Sequence, residues 1–310
     1  MSSAEGLISA HMLAHSPESV AATLRDKGYM VLDRALTPEC VARINRETGD
    51  LQSRFNDNWA GPVLFKNQRY LTHCLANSGT IFDLMTRSWC FDVLRAYFGS
   101  GFRLTDQRVY VTEREERMQW HVDNKFDDSG QSDYPGLIFI LYLCDVDDGE
   151  LQVIDGSNRW SKTGGSADFL DSFVDSHHAK DIVSLKMPAG SGLVYDTSVV
   201  HRAHRIRRAG WERKSLFFQV EKKSAGGQPV LIDTRFARDL TPEQQYFLGF
   251  GTAPEYSIFP TTSVGTVRPG KLAGHVAKLL GATARASLLS PLWGLGPDQR
   301  ERLKKFLGRQ

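Results

Sequence analysis

Leu137-Ile138-Phe139-Ile140-Leu141-Tyr142-Leu143 is apolar at every position. A strand with one wet face alternates apolar and polar side chains, so this unbroken run predicts a strand covered on both faces. The segments around it keep the same short scale. Arg103–Thr112, Gln119–Asp123, Leu151–Ile154, Ile182–Lys186, Leu193–Tyr195, Ser215–Val220 and Val230–Ile232 read as strands, with Gly, Pro, Asp and Asn between them. Many short strands with polar turns predict a mainly β chain, a sandwich or jelly roll, rather than alternating βαβ units.

The flanking sequence has a helical period. Ser16-Pro17-Glu18 supplies a side-chain cap and then a proline at the first helical position, predicting a helix to about Lys27 that stops at Gly28. Tyr29–Leu32 follows as a short strand. Thr37-Pro38-Glu39 repeats the capping signal and opens a helix to roughly Arg54. Further helices are expected at Thr80–Thr86, at Cys90–Phe98 before Gly99, and from Thr241-Pro242-Glu243 onward.

Bulk properties exclude several classes. Hydrophobic residues make up 41% of the 310 residues and charged ones 24%, the balance of an ordinary globular chain. No segment approaches the roughly 20 apolar residues a spanning helix requires. Met1–Glu5 lacks the basic then apolar pattern of a secretory signal, so a cytoplasmic location is expected. Cys40, Cys74, Cys90 and Cys144 are scattered without metal-site or disulfide spacing. A net charge of +2 gives no footprint for nucleic acid. The charge is uneven, however: from Arg268 onward there are nine Lys or Arg and two acids. The expected division is therefore a catalytic domain over residues 1–267 and a basic helical extension over 268–310. In that extension Leu272, Val276, Leu279 and Leu280, and the segment Asp298–Leu307, have amphipathic spacing. Such helices dock on protein or on anionic membrane, and protein is the commoner outcome.

Chemistry concentrates in Trp120-His121-Val122-Asp123. Residues i and i+2 of a strand share a face, so His121 and Asp123 project together while Trp120 and Val122 point into the opposite layer. An imidazole beside a carboxylate can take adjacent positions on one metal. Two histidines and one carboxylate form the facial triad of non-haem iron(II), with its remaining positions open. A solvent-facing ion pair is the plainer reading of an isolated H-x-D. Downstream, Ser191-Gly192 leads into an apolar strand that ends near His201, and Arg213 opens the next strand. Arg213 and Ser215 share a face there; a guanidinium fork beside a hydroxyl suits a carboxylate. A solvated edge charge is the alternative for Arg213 taken alone.

The order and spacing of these pieces resemble the phytanoyl-CoA dioxygenase branch of the 2-oxoglutarate-dependent oxygenases over about Leu104 to Val220. Gln119–Asp123 resembles the H-x-D block of that family. Asp148–Asn158 resembles its glycine, strand and P-G-S-H block, with Asp155 in place of proline and Asn158 in place of histidine. Gly192–Gln219 resembles the block holding the distal histidine and the cosubstrate arginine. The resemblance implies a double-stranded β-helix core of the cupin type, with Fe(II), 2-oxoglutarate and O2 as cofactor and cosubstrates. By motif position it implies His121, Asp123 and His201 as iron ligands and Arg213 on the far carboxylate of 2-oxoglutarate; Ser215 joins Arg213 from face geometry. His204 is a rival to His201, which has the better spacing to Arg213, twelve residues rather than nine.

The resemblance implies oxidation of a substrate with release of succinate and CO2. Hydroxylation of a small biosynthetic molecule is the default expectation, and desaturation or cyclisation by the same oxidant are its alternatives. Asn124-Lys125 with the arginines after His201 point to a polar or anionic substrate. Retention of Asp123 disfavours halogenation, for which that ligand position would be vacated. A lipid- or sugar-linked substrate, or a non-catalytic metal-binding cupin-like protein, are the competing readings. Arg202, Arg205, Arg207 and Arg208 either attract an anion or form a solvated loop. Asn124–Asp128 is expected beside the site mouth.

Overall fold

The computed structural model of the chain describes residues 6–49, 62–65, 68–72, 74–113, 118–123, 136–160, 168–222 and 230–250, together with Ala277, Leu280, Gly281 and Ala284. The chain divides into two compact units, residues 1–253 and 254–310. The four single residues, all helical, are what is described of the second unit. The expected domain boundary at 267/268, the positions Leu272, Val276 and Leu279, and Asp298–Leu307 lie outside the described residues.

Twelve strands are described in the first unit: β1 Tyr29–Leu32, β2 Pro62–Phe65, β3 Gln68–Thr72, β4 Arg103–Thr112, β5 Trp120–His121, β6 Gly136–Tyr142, β7 Val146–Ile154, β8 Asp168–Phe169, β9 Ile182–Met187, β10 Gly192–Asp196, β11 His201–Ala203 and β12 Arg213–Glu221. They form two antiparallel sheets. The larger runs β1-β10-β6-β12-β4-β3-β2 and the smaller β8-β5-β11-β7-β9. This is a double-stranded β-helix, or jelly roll, with flanking helices.

The apolar run sits in β6, between β10 and β12, and every residue of β6 is buried. Strand alternation divides it between two cores. Leu137, Phe139 and Leu141 join Leu216, Phe218 and Val220 of β12 under the helices on the outer face of the larger sheet. Ile138, Ile140 and Tyr142 face inward, with Tyr110, Leu193, Tyr195 and Phe217, toward Leu151, Val153 and Leu185 of the smaller sheet. A third cluster of Trp120, Val122, Ile154, Val174 and Val200 closes the outer face of the smaller sheet under the helix Asp171–His177. Phe139 is fully buried, so Phe139→Ala is expected to lower unfolding free energy by about 3–5 kcal/mol, measured by chemical denaturation.

Helix Pro17–Lys27 begins with the Ser16 hydroxyl accepting from the Ser19 N–H and ends at Gly28, whose φ of 78° is left-handed. Thr37 caps Pro38–Thr48 in the same way. That helix ends at Gly49, short of the expected Arg54; residues 50–61 are outside the described ones. Helices Gly79–Arg87, Trp89–Phe98 and Pro242–Phe247 follow the reading to within a residue or two at the ends that were specified, the last with a full capping box at Thr241 and Gln244.

Three sequence expectations are corrected. Val230–Ile232 is not a strand; Val230 and Ile232 spend their alternation packing on the helical core instead. The Gln119–Asp123 strand contracts to Trp120–His121, because the Asp123 N–H turns away to donate to the Thr197 carbonyl at 3.2 Å. β7 starts at Val146 rather than Leu151, reaching past a register shift that the acidic Asp147-Asp148 disguises.

Candidate active site

The inner face of the smaller sheet brings the expected metal-type side chains together. β5 and β11 pair at one register, His201 opposite His121. Directly opposed residues on antiparallel strands share a face at close range, and the two rings lie 4.3 Å apart between centroids. Asp123 enters from the bend after β5. Its Oδ1 is 3.7 Å from His121 Nε2 and its Oδ2 is 3.2 Å from His201 Nε2. One donor atom from each of His121, Asp123 and His201 can be chosen so that all lie within 4.8 Å of one another.

Both rings are oriented from behind. His121 Nδ1 is 2.8 Å from the Gln119 carbonyl and His201 Nδ1 is 3.0 Å from the Val199 carbonyl. A carbonyl oxygen only accepts, so each Nδ1 carries a hydrogen and each Nε2 is the nitrogen turned toward the site. Burial pushes the His201 imidazole down to about 4, against the pull of the Asp123 charge, so it is neutral at neutral pH. Burial also opposes the charge on Asp123. His201, His121 and the Tyr195 hydroxyl outweigh that cost and hold its carboxyl below the ordinary range. Neutral imidazoles and an ionised carboxylate are the protonation states a divalent cation needs.

The motif block around Gly156 anchors this arrangement. Ser157 Oγ accepts from the Val200 N–H at 2.9 Å, and the Ile154 N–H donates to the Val200 carbonyl at 3.0 Å, pinning the residue before His201. On the reverse side, Arg202 stacks on Trp120 at 4.1 Å and donates to Asp171 at 2.8 Å and Gln152 at 2.9 Å. This clamp ties together the strands bearing His121 and His201. Arg202 is thereby committed to the back of the site rather than its mouth. Arg208 pairs with Asp147 and stacks on Trp211. His204 stands apart from His121 and Asp123, with Nδ1 3.5 Å from Glu150 Oε1. Asn124–Asp128 lies outside the described residues.

Arg213 opens β12 opposite Thr112 of β4 and is 2% exposed. Nη1 donates to the Gly149 carbonyl, and Nη2 is 3.5 Å from Thr112 Oγ1. Gly149 lies at the register shift in β7 with φ 67°, where an added Cβ would come within 2.2 Å of Ile206. Glycine lets the backbone turn there and aim its carbonyl at the guanidinium. Among the described residues no carboxylate pairs with Arg213, and its Nε has no partner. Ser215, on the same face and fully buried, also leaves its hydroxyl unpartnered. Tyr110 and Tyr142 flank Ser215 on the neighbouring strands. A buried guanidinium without a counter-charge among the described residues, beside an unused hydroxyl, could receive an anion. The inner core that contains these tyrosines also contains Tyr195, beside the triad.

Residues 24–215 match the phytanoyl-CoA dioxygenase (PhyH) family. The chain belongs to that family. No curated protein matches the chain. Among solved structures it is similar to EctD from S. alaskensis with 2-oxoglutarate and 5-hydroxyectoine, at 20% identity and TM-score 0.56, covering 81% of this chain and 86% of that one. It is similar also to the epimerase SnoN in complex with Fe3+, alpha ketoglutarate and nogalamycin RO, at 20% identity and TM-score 0.55, covering 80% and 96%. The carbocyclase SnoK from nogalamycin biosynthesis matches at 15% identity and TM-score 0.53, covering 74% and 94%. At these identities the likeness establishes the shared fold of this PhyH-family chain.

Sequence reasoning missed Tyr195. Its hydroxyl donates to Asp123 Oδ2 at 3.0 Å and lies 3.1 Å from His201 Nε2. Burial, then the neighbouring Asp123, pushes this phenol well above its ordinary range. Inward alternation with Leu193 was its only sequence signal. Tyr110 and Tyr142 were missed for the same reason: they read as apolar strand positions.

Proposed function

We propose that this PhyH-family chain is an Fe(II)- and 2-oxoglutarate-dependent oxygenase that hydroxylates a small, polar or anionic molecule. The carrying observation is a triad of His121, Asp123 and His201 in the same inter-sheet layer as the unpaired, buried Arg213 and Ser215. His121 and His201 would hold iron through Nε2 and Asp123 through its carboxylate. Arg213, with Ser215 as a further donor, would hold the far carboxylate of 2-oxoglutarate. When bound, iron with 2-oxoglutarate and O2 supplies the oxidant that removes hydrogen from an unactivated C–H bond and releases succinate and CO2.

The protein's share is orientation and charge. The Arg213 guanidinium would neutralise a carboxylate in a layer to which Ile138, Ile140, Leu151, Val153 and Tyr142 also belong. The Gln119 and Val199 carbonyls fix the imidazoles before any metal arrives, so little ordering remains at binding. Arg108, on the same inner face of β4 as Tyr110, lies 3.8 Å from the Phe217 ring centroid; it pairs with Asp106 but leaves its Nε unpartnered. That cation supports a substrate carrying polar or negative groups. With three protein ligands retained, no ligand position is vacated for halide, which supports oxygen insertion over halogenation.

The test is reaction under ¹⁸O2 with the substrate found by screening candidate metabolites for stimulated succinate formation. A product carrying one labelled oxygen atom is expected. A product lighter by two hydrogens, or of unchanged mass with inverted stereochemistry, would refute hydroxylation and leave the oxygenase reading standing. A chlorinated product in halide buffer would overturn the argument from Asp123.

A further inference from the structure

The Tyr195 hydroxyl sits between two of the candidate ligand atoms. The residue lies on β10, opposite Tyr29 of β1 and Ile138 of β6, and is 1% exposed. Its ring is 4.6 Å from that of His201, between centroids. Its oxygen is 3.0 Å from Asp123 Oδ2 and 3.1 Å from His201 Nε2. A phenol has one hydrogen to give. Because His201 Nδ1 is committed to the Val199 carbonyl, Nε2 is the acceptor nitrogen, and the hydrogen can go either to it or to Asp123. A metal on Nε2 takes that lone pair and leaves Asp123 Oδ2 as the sole acceptor of the two.

Resting on the iron-centre reading above, we infer that Tyr195 is a positioning residue that holds Asp123 as a one-oxygen ligand. The phenol engages Oδ2, which leaves Oδ1, the oxygen facing His121 Nε2, for the metal. The consequence is stoichiometric. A metal held through one atom from each of His121, Asp123 and His201 would have more positions free for 2-oxoglutarate and O2 than one that Asp123 gripped through both oxygens. Tyr195 therefore keeps a position open without touching the metal. Partners that orient a metal ligand typically contribute 10–100-fold to metal affinity.

The experiment uses Co(II) as the probe in the full chain. Wild type and Tyr195→Phe are titrated against a competing chelator, and their Co(II) visible spectra and apo-protein melting temperatures are compared. The expected result is about 10–100-fold weaker Co(II) binding in Tyr195→Phe, with a changed Co(II) spectrum that reports a changed coordination number, at an apo melting temperature close to wild type. Equal affinity and an unchanged spectrum would overturn the role of Tyr195 while leaving the centre intact. A separate measurement on wild type needs no variant: Fe(III)-loaded protein should lack a phenolate charge-transfer band. Such a band would make Tyr195 a direct ligand and refute the proposal. Failure of wild type to bind Co(II) at all would instead remove the centre, and this role with it.

Discussion

Alanine at His121, Asp123 or His201 abolishes iron binding and turnover, whereas His204→Ala keeps its iron. The expectation rests on geometry that no single strand provides. His121 and Asp123 come from one side of the smaller sheet, His201 from the paired strand, and both imidazoles point Nε2 at the carboxylate. Removing a ligand leaves only two of the three protein donors at the cluster. Loss of a partner that merely orients a ligand typically costs 10–100-fold in affinity, so loss of a ligand itself should exceed about a hundredfold. His204 lies beside Glu150 and contributes no atom to this cluster. Metal content of the purified variants is the readout. Iron retained in His201→Ala and lost in His204→Ala would reverse the assignment.

Arg213→Leu raises the 2-oxoglutarate dissociation constant by about thirtyfold or more. The estimate takes the lower end of the roughly 2–5 kcal/mol cost of truncating a buried, hydrogen-bonded charge pair, and each 1.4 kcal/mol is about a factor of ten. The physical basis is the absence of an internal counter-ion among the described residues. Among the described residues the guanidinium donates to the Gly149 carbonyl and the Thr112 hydroxyl, both neutral, lies 5.8 Å from the Tyr110 ring centroid, and leaves Nε without a hydrogen-bond partner. An anion that binds there replaces no salt bridge among the described residues, so no internal ion pair has to be broken first. Ser215→Ala should give a smaller loss, about 1.5–3 kcal/mol for a single hydrogen bond to a charged group. Isothermal titration of 2-oxoglutarate into metal-loaded variants measures both. An unchanged constant in Arg213→Leu would rule out the role.

The layers of this fold were legible because they rest on local rules. Pro17 and Pro38 after capping hydroxyls located two helices, and Gly28 ended the first, since each signal acts within one turn of its own residue. The apolar run in β6 announced burial on both faces because both faces belong to one strand. Strand alternation anticipated that His121 and Asp123 come together, but Asp123 arrives from the bend after β5 rather than from the strand itself. What stayed hidden depends on contacts between distant segments. β11 is three residues long, too short to show a period, yet it carries His201. The hairpin of β2 and β3 is mixed in polarity. Arg202 reads as one more charge in a basic stretch until Asp171 and Gln152 are brought against it. Tyr195 precedes His201 by six residues, and only the crossing of the chain from β10 in the larger sheet to β11 in the smaller one sets its hydroxyl beside that imidazole.

The most direct test of the account is anaerobic binding of 2-oxoglutarate to the wild-type chain, measured with and without Fe(II). The account predicts one 2-oxoglutarate bound per chain in the presence of the metal, with binding strongly weakened when the metal is withheld and likewise in His201→Ala. Binding that is equally tight without metal, or no binding at saturating Fe(II), would contradict it.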